Sequence, residues 1–145
     1  MIERFKTFTI LIASLSRSIR RIKTEEMAKW NLKSNHVSCI YYLYVNKSLT
    51  SKQLCEICDE DKANISRSIE FLKENGYITN NNDNNQKRYK SPYYLTEEGI
   101  AIGKKLYDRI NSVLDEVSRG ITEEERKTMY KCLNIINDNL QKALI

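Results

Sequence analysis

The stretch Thr50–Gly76 constrains the fold more than any other, because it carries start and stop signals for two short helices. Thr50, followed three residues later by Gln53, has the form of a capping box, which opens a helix. The acidic run Asp59–Asp61 ends that helix, and Asp61 can cap a second one, which stops where Gly76 suits a left-handed C-terminal position. Two short helices joined by such a turn predict a helix-turn-helix.

Apolar residues recur at helical spacing in both of these helices and in the helix before them. The side chains that this spacing turns inward are Leu54, Ile57 and Cys58 in the first short helix and Ile65, Ile69 and Leu72 in the second. The preceding helix is expected to start at Ser34 as its N-cap and to end near Asn46. One face of that helix carries Val37, Ile40, Tyr41 and Tyr44.

Two segments after the helix-turn-helix have strand character, Tyr77–Thr79 and Tyr93–Leu95. The loop between them is too polar and too rich in asparagine to be buried, so we expect a β-hairpin with an exposed tip. A helix-turn-helix followed directly by such a hairpin is a winged helix, in which the hairpin is the wing. The sequence thus predicts a mainly α fold with a small β-hairpin, with a winged lobe at residues 34–98 and its wing at 77–95.

Long amphipathic helices are predicted at both ends of the chain. In the first ~20 residues, apolar side chains recur at Phe5, Phe8, Ile12, Leu15, Ile19 and Ile22. Thr96 can cap a second long helix, whose apolar face carries Ile102, Leu106, Ile110, Val113 and Val117. Gly120 breaks the chain, and a capping box of Thr122 and Glu125 opens the last helix. The apolar seam of that helix, which suits pairing with another helix, consists of Met129, Leu133, Ile136, Leu140 and Ala143.

At 145 residues the chain is expected to form one domain, and its 4 glycines and 1 proline favour long uninterrupted helices. A formal net charge of +5 and an isoelectric point near 9.0 permit nucleic-acid binding, although a lysine-rich solvated surface would give the same values. No apolar run approaches the ~20 residues that cross a bilayer. Charges such as Arg4, Lys6 and Arg17 interrupt the N-terminal apolar residues, so we expect a cytoplasmic protein without a membrane partner.

The order of these elements resembles the MarR family of bacterial transcriptional regulators over essentially the whole chain. The matching pieces are LTSKQLCEICDEDKANISRSIEFLKENGYI (Leu49–Ile78) and KRYKSPYYLTEEG (Lys87–Gly99), the second of which ends in a Leu-Thr-x-x-Gly pattern. The resemblance implies a single domain in which residues 34–98 bind DNA and residues 1–30 and 100–145 join two copies of the chain. The dimer contacts expected from it are Phe5, Phe8, Ile12, Met129, Leu133, Ile136 and Leu140.

Candidate DNA-contacting residues lie on the second short helix, at helix ends and in the wing. If Lys62–Asn75 is the recognition helix, the side chains left outward or at its edges are Asn64, Ser66, Arg67 and Ser68. Asn and Arg suit paired hydrogen bonds to base edges in a major groove. We expect phosphate contacts from Lys52, Gln53 and Lys62, and minor-groove contacts from Lys87, Arg88 and Lys90. Together they predict a homodimeric regulator, a repressor, that reads a pseudo-palindromic double-stranded DNA.

His36, Cys39, Cys55 and Cys58 have a spacing that resembles a zinc site, and the same thiols could sense redox conditions. Zinc knuckles normally bend on turn residues, however, whereas both pairs here fall inside predicted helices. The family has a small alanine and a large aliphatic residue where Cys55 and Cys58 stand, so core packing accounts for both. His36, in the first turn of its helix, is expected at the surface, and no metal or other cofactor is expected.

Tyr41 and Tyr44 could line a pocket for a small aromatic effector, because the family commonly binds such compounds between its dimer and DNA-binding lobes. Packing between helices is the plainer interpretation. No Ser/His/Asp set, carboxylate pair or glycine-rich phosphate loop stands out, so we expect no enzyme activity. Two alternatives stay open: a winged-helix module that binds an acidic protein partner instead of DNA, and a regulator that responds to zinc or to thiol oxidation.

Overall fold

A computed structural model of the chain describes residues 3–80 and 91–144. The helices in chain order are α1 (Arg4–Lys6), α2 (Ile12–Met27), α3 (Ser34–Asn46), α4 (Ser51–Cys58), α5 (Lys62–Glu74), α6 (Glu97–Val117) and α7 (Glu123–Ala143). A π-helical segment, Thr7–Leu11, joins α1 to α2, and a 3-10 segment, Ala28–Trp30, follows α2. The strands are β1 (Ser48–Leu49), β2 (Ile78–Asn80) and β3 (Tyr93–Leu95). The N-terminal helix thus runs beyond the ~20 residues predicted from its apolar spacing.

Both start signals of the helix-turn-helix form the hydrogen bonds that the sequence predicts. The Thr50 hydroxyl accepts from the Gln53 N–H at 3.2 Å, and the Gln53 side-chain oxygen accepts from the Thr50 N–H at 2.9 Å. The Asp61 carboxylate accepts from the Asn64 N–H at 2.7 Å and so caps α5. Gly76, just past the end of α5, has a φ of 78°, which confirms the predicted left-handed stop.

The strands form an antiparallel sheet in the order β1-β3-β2. Ile78 pairs with Leu95 and Asn80 with Tyr93, which confirms the paired stem of the predicted hairpin. β2 begins at Ile78 rather than at Tyr77, and β1 is too short to carry the alternation from which strands are predicted. The tip of the wing, residues 81–90, lies outside the described residues.

The chain groups into two compact units, Met1–Tyr107 and Asp108–Ile145. The buried apolar core lies in the first unit and includes Val37, Ile40, Leu43, Leu54, Ile65, Ile69, Leu72, Ile102 and Leu106. The inward face predicted for α5 is therefore confirmed. The inward placement of Ile57 is wrong, because its side chain is 39% exposed. Leu54 is buried and Cys58 is half-buried, so these two residues lie on the packed side of α4, whereas Ile57 does not.

The first turn of α6 is fastened to the chain that follows α5. Thr96 Oγ1 accepts from the Gly99 N–H at 3.1 Å, as the predicted cap requires, and the same hydroxyl donates to the Gly76 carbonyl at 2.6 Å. A Cβ added to Gly99 would lie 2.0 Å from the Tyr77 carbonyl oxygen, so only glycine allows this close approach. These contacts position the stem of the wing against the end of α5.

Apolar side chains remain exposed on the helices near both ends of the chain. In the first unit, Phe5 is 75% exposed, and Phe8 and Ile12 are exposed as well. In the second unit, the capping box of Thr122 and Glu125 opens α7 as predicted. Met129, Leu133 and Leu140 on α7 are exposed, and Ile136 is half-buried. Among the helices of the described residues, none has both the length and the apolar character needed to span a membrane.

Candidate nucleic-acid interface

Helix α5 turns one side to the core and the other to solvent. The buried side is formed by Ile65, Ile69 and Leu72, and the exposed side includes Lys62, Ser66, Arg67 and Glu70. Asn64, in the first turn of α5, is half-buried. The exposed hydroxyl, ammonium and guanidinium groups of Ser66, Lys62 and Arg67 can donate hydrogen bonds to base edges and pair with phosphates.

A chain of hydrogen bonds runs from the turn of the helix-turn-helix along the outer side of α5. Asn64 Nδ2 donates to Glu60 Oε2 at 3.1 Å, and Asn64 Oδ1 accepts from Arg67 Nη2. Glu60 is half-buried, whereas Arg67 is exposed. Sequence reasoning missed Glu60, and the available signal was its place four residues before Asn64, close enough to reach the first turn of α5.

Ser68 is buried, with 0% of its surface exposed, so the expectation that it faces DNA is wrong. It stands three residues after Ile65 and four before Leu72, and side chains at these spacings share one face of a helix. Its hydroxyl oxygen has no hydrogen-bond partner within the part of the chain that the structure describes. A small polar residue therefore occupies a core position of α5.

The predicted phosphate contacts lie at the starts of α4 and α5. Lys52 and Lys62 are exposed, so both ammonium groups are open to solvent. Gln53 is exposed as well, but its side-chain oxygen accepts the capping bond, which leaves its amide NH₂ to donate. The predicted wing cations, Lys87, Arg88 and Lys90, fall outside the described residues.

His36 is buried, with 7% of its surface exposed, so its expected surface position is wrong. Its Nδ1 accepts from the Lys33 N–H at 3.1 Å, and Lys33, rather than Ser34, is the N-cap of α3. Burial, and secondly the charge of Lys33, lower the pKa of His36. A histidine in a first turn is thus a structural part of this helix start.

Cys39 is fully buried and Cys58 half-buried, where α3 packs against the end of α4. Each of these thiols shifts the pKa of the other: the proximity of Cys58, together with burial, raises the pKa of Cys39, and the proximity of Cys39 lowers that of Cys58. Burial raises the pKa of Cys55. Over residues 3–80 and 91–144, no three or more His, Cys, Asp or Glu side chains are grouped so as to hold a metal ion. The structure therefore does not bring His36, Cys39, Cys55 and Cys58, whose spacing resembles a zinc site, together as a set of metal ligands.

The tyrosines proposed for an effector meet a third tyrosine that sequence reasoning missed. Tyr41 and Tyr44 on α3 lie with ring centroids 6.0 Å and 5.6 Å from that of Tyr107 on α6. Tyr107 is exposed and the other two are half-buried. Ring contacts of this kind are those expected of packing between helices, and they leave part of the cluster open to solvent.

No family model matches the sequence. The chain is 24% identical over 139 residues to the uncharacterized HTH-type transcriptional regulator YwaE of Bacillus subtilis (strain 168), covering 96% of this chain and 81% of that protein. The S. aureus MepR–DNA complex superposes with a TM-score of 0.82 at 16% identity, covering 95% of this chain and 99% of that chain. A putative MarR family transcriptional regulator from Listeria monocytogenes, complexed with 26mer DNA, gives a TM-score of 0.82 at 21% identity, covering 99% and 92%.

These similarities establish the fold. The chain has the winged helix-turn-helix fold of MarR-family regulators, so the resemblance expected from the sequence is confirmed. At these low identities, what the chain binds has to be inferred from its own residues.

Proposed function

We propose that the protein is a sequence-specific double-stranded DNA-binding transcriptional regulator. The observation that carries this proposal is the exposed polar side of α5, in a fold shared with two structures that contain DNA. In this proposal α5 enters the major groove, where the Asn64, Ser66 and Arg67 surface meets base edges. Phosphates are held by Lys52, Gln53 and Lys62, and the minor groove by the wing cations Lys87, Arg88 and Lys90.

The regulator acts as a homodimer. Support comes from the apolar side chains of α1, α2, α7 and the segment between α1 and α2, most of which are exposed. The residues assigned to the dimer are Phe5, Phe8, Ile12, Met129, Leu133, Ile136 and Leu140. A second copy would remove this surface from water, which is favourable by about 25 cal/mol per Å² of apolar area. Two α5 helices placed one DNA turn, ~34 Å, apart would read a pseudo-palindrome.

A gel shift tests the proposal, with the duplex upstream of the protein's own gene and an unrelated duplex of equal length. We expect the upstream duplex to shift at lower protein concentration, and its affinity to fall linearly with salt on a double-logarithmic plot, since bound cations displace counterions. Arg67→Ala should reduce the preference for the upstream duplex roughly tenfold. Arg119→Ala, which removes an exposed arginine of the second unit, is the matched control and should leave it unchanged.

Two results would overturn this assignment in different ways. Equal binding of both duplexes by the wild-type protein would remove the sequence specificity. Absence of any shift at low salt would remove DNA binding altogether, and would favour the winged-helix module that binds an acidic protein partner.

We further propose that the regulator is a repressor and that a small aromatic effector relieves the repression. It is supported by the ring cluster of Tyr41, Tyr44 and Tyr107, because α3, which carries two of these rings, also packs against α5. A compound bound there would favour a dimer geometry whose half-site spacing no longer fits the DNA. A thermal-shift screen of small aromatic compounds, followed by a gel shift with each hit, tests this step. It fails if no compound both stabilises the protein and releases the duplex.

A thiol-responsive regulator is the second candidate, favoured by the contact between Cys39 and Cys58. The Cys58 thiolate would attack a hydroperoxide, form a sulfenic acid and release the corresponding alcohol. The Cys39 thiol would then attack that sulfur, form a disulfide and release water. Such a bond would join α3 to α4 covalently and so act on the helix-turn-helix.

A further inference from the structure

We infer that Glu60 determines DNA specificity by holding Asn64, and through it Arg67, in the position that recognises guanine. This inference rests on the proposed function, since it concerns the same face of α5. Glu60 contacts no base in this interpretation and is a positioning residue. Arg67 is the residue that reads the base.

The amide of Asn64 fits its two neighbours in only one orientation. Its Nδ2 donates to Glu60 Oε2 at 3.1 Å, and its Oδ1 accepts from Arg67 Nη2. If the amide were rotated by half a turn, its oxygen would face a carboxylate and its N–H groups would face a guanidinium, which also only donates. Glu60 therefore determines which atom Asn64 presents to Arg67.

Glu60 is itself held in place by the turn between α4 and α5. Asp59 has a left-handed backbone with a φ of 52°, and the Glu60 N–H donates to the Cys55 carbonyl at 3.2 Å. On the other side, Asp61 caps α5. The backbone of Glu60 is thus held between two hydrogen-bonded helix ends, which limits the places that its half-buried side chain can reach before any ligand binds.

This hydrogen-bond network gives Asn64 and Arg67 different roles in base recognition. Each end of the Asn64 amide is engaged within the protein, Nδ2 by Glu60 and Oδ1 by Arg67, so the orientation of the amide is set by these two neighbours and not by a base. Arg67 uses Nη2 toward Asn64 and keeps its other N–H groups, which suit the O6 and N7 acceptors of guanine. Because the guanidinium is already oriented, less side-chain freedom is lost when it binds.

Selection from a pool of randomised duplexes, followed by sequencing, measures the base preference at each position. The wild-type protein is expected to enrich guanine at one position of each half-site, and Glu60→Leu to lower that enrichment about tenfold. Glu60→Gln is the matched control, because it loses the same charge but keeps a side-chain oxygen that can accept from Asn64. Its guanine preference should stay within about twofold of the wild type, while both variants gain equally in affinity for unrelated DNA.

Asn64→Leu provides an independent variant if Glu60→Leu does not fold. It should also lose the guanine preference, since Arg67 then has no acceptor to hold it. Loss of an adenine preference with guanine retained would mean that Asn64 reads its own base, and would overturn the inference. Equal guanine preference in Glu60→Leu and Glu60→Gln would overturn it as well. Both outcomes leave DNA binding intact, whereas a wild-type protein that enriches no sequence would overturn the proposed function and this inference together.

Discussion

The imidazole of His36 lies flat against the phenyl ring of Phe71, with ring centroids 4.2 Å apart and an angle of 2° between the planes. His36 belongs to α3 and Phe71 to α5, so this stack joins the supporting helix to the proposed recognition helix. The Nδ1 atom of His36 accepts from the Lys33 N–H, which requires that nitrogen to be unprotonated. The imidazole that stacks on Phe71 is therefore in its neutral form.

The first prediction is that His36 makes the stability of the fold depend on pH. Its pKa in the folded chain lies below the ordinary value of 6.5, because of burial and then of Lys33. As the pH falls through about 6.5, His36 of the unfolded chain takes up a proton that the folded chain does not bind. The contribution of His36 to the free energy of unfolding is therefore fully present above that pH, and it decreases as the pH falls toward the lowered pKa of the folded chain. Urea unfolding at about pH 7.5 and about pH 5.5 measures the decline.

The control for this prediction is His36→Phe, which keeps a stacked ring but has no titrating nitrogen. His36 is the only histidine of the 145 residues, so the variant should lose the part of the decline that arises near pH 6.5. An identical decline in the variant would show that other groups cause it.

The second prediction concerns the two serines on opposite sides of α5. Ser68→Ala removes a buried hydroxyl that has no partner among the described residues, and should raise the free energy of unfolding by about 1 kcal/mol. Ser66→Ala, on the exposed side, gains the same helix propensity and should change it by less than about 0.5 kcal/mol. Chemical denaturation of both variants measures the difference. If Ser68→Ala proves less stable than Ser66→Ala, the buried hydroxyl has a partner after all.

The third prediction compares two glycines that are required for different reasons. In Gly99→Ala the new methyl group would meet the Tyr77 carbonyl oxygen at 2.0 Å, so α6 must shift, at a cost of about 3 kcal/mol or more. In Gly120→Ala the methyl group meets nothing within 4 Å, and the cost, about 1 kcal/mol, comes only from the φ of 91°. Thermal unfolding of the two variants should rank them in that order. The reverse ranking would contradict the close approach of α6 to Tyr77.

The fourth prediction is that Cys58 reacts with iodoacetamide faster than Cys39 or Cys55. The neighbouring Cys39 thiol lowers the pKa of Cys58, so more thiolate is present near neutral pH. Cys39→Ala removes that neighbouring thiol and should slow alkylation of Cys58 several-fold. Mass spectrometry of the labelled peptides measures each rate, in a Cys132→Ser background because Cys132 is exposed. An unchanged rate in Cys39→Ala would remove the support for the thiol-responsive candidate.

Helix ends and most of the core could be predicted because their signals are local. Thr50, Asp61 and Thr122 each accept the capping bond that their sequence context predicts. Gly76 takes the positive φ expected of it. Such interactions join residues three or four apart, so the order of residues is enough to recognise them.

The errors arose where a distant element decides the environment. The spacing of apolar residues defines a wide apolar face on a helix, and only part of that face is buried. The spacing therefore did not show that Ile57 lies outside the packed side of α4. Ser68 was predicted to be exposed because its side chain is polar. Its spacing from the apolar residues of α5 places it in the core, where the structure has it. The burial of His36 could not be predicted from the sequence of α3, because it depends on Phe71 of α5, which stacks on the imidazole. The Glu60 network depends on side-chain conformations, which spacing does not determine.

The central claim is that two copies of this chain bind one duplex through paired α5 helices. Light scattering on the complex with a duplex selected from genomic fragments measures how many 17.1 kDa chains each duplex holds. Two chains per duplex are expected. A single chain per duplex, or no complex with any genomic fragment at low salt, would contradict the claim.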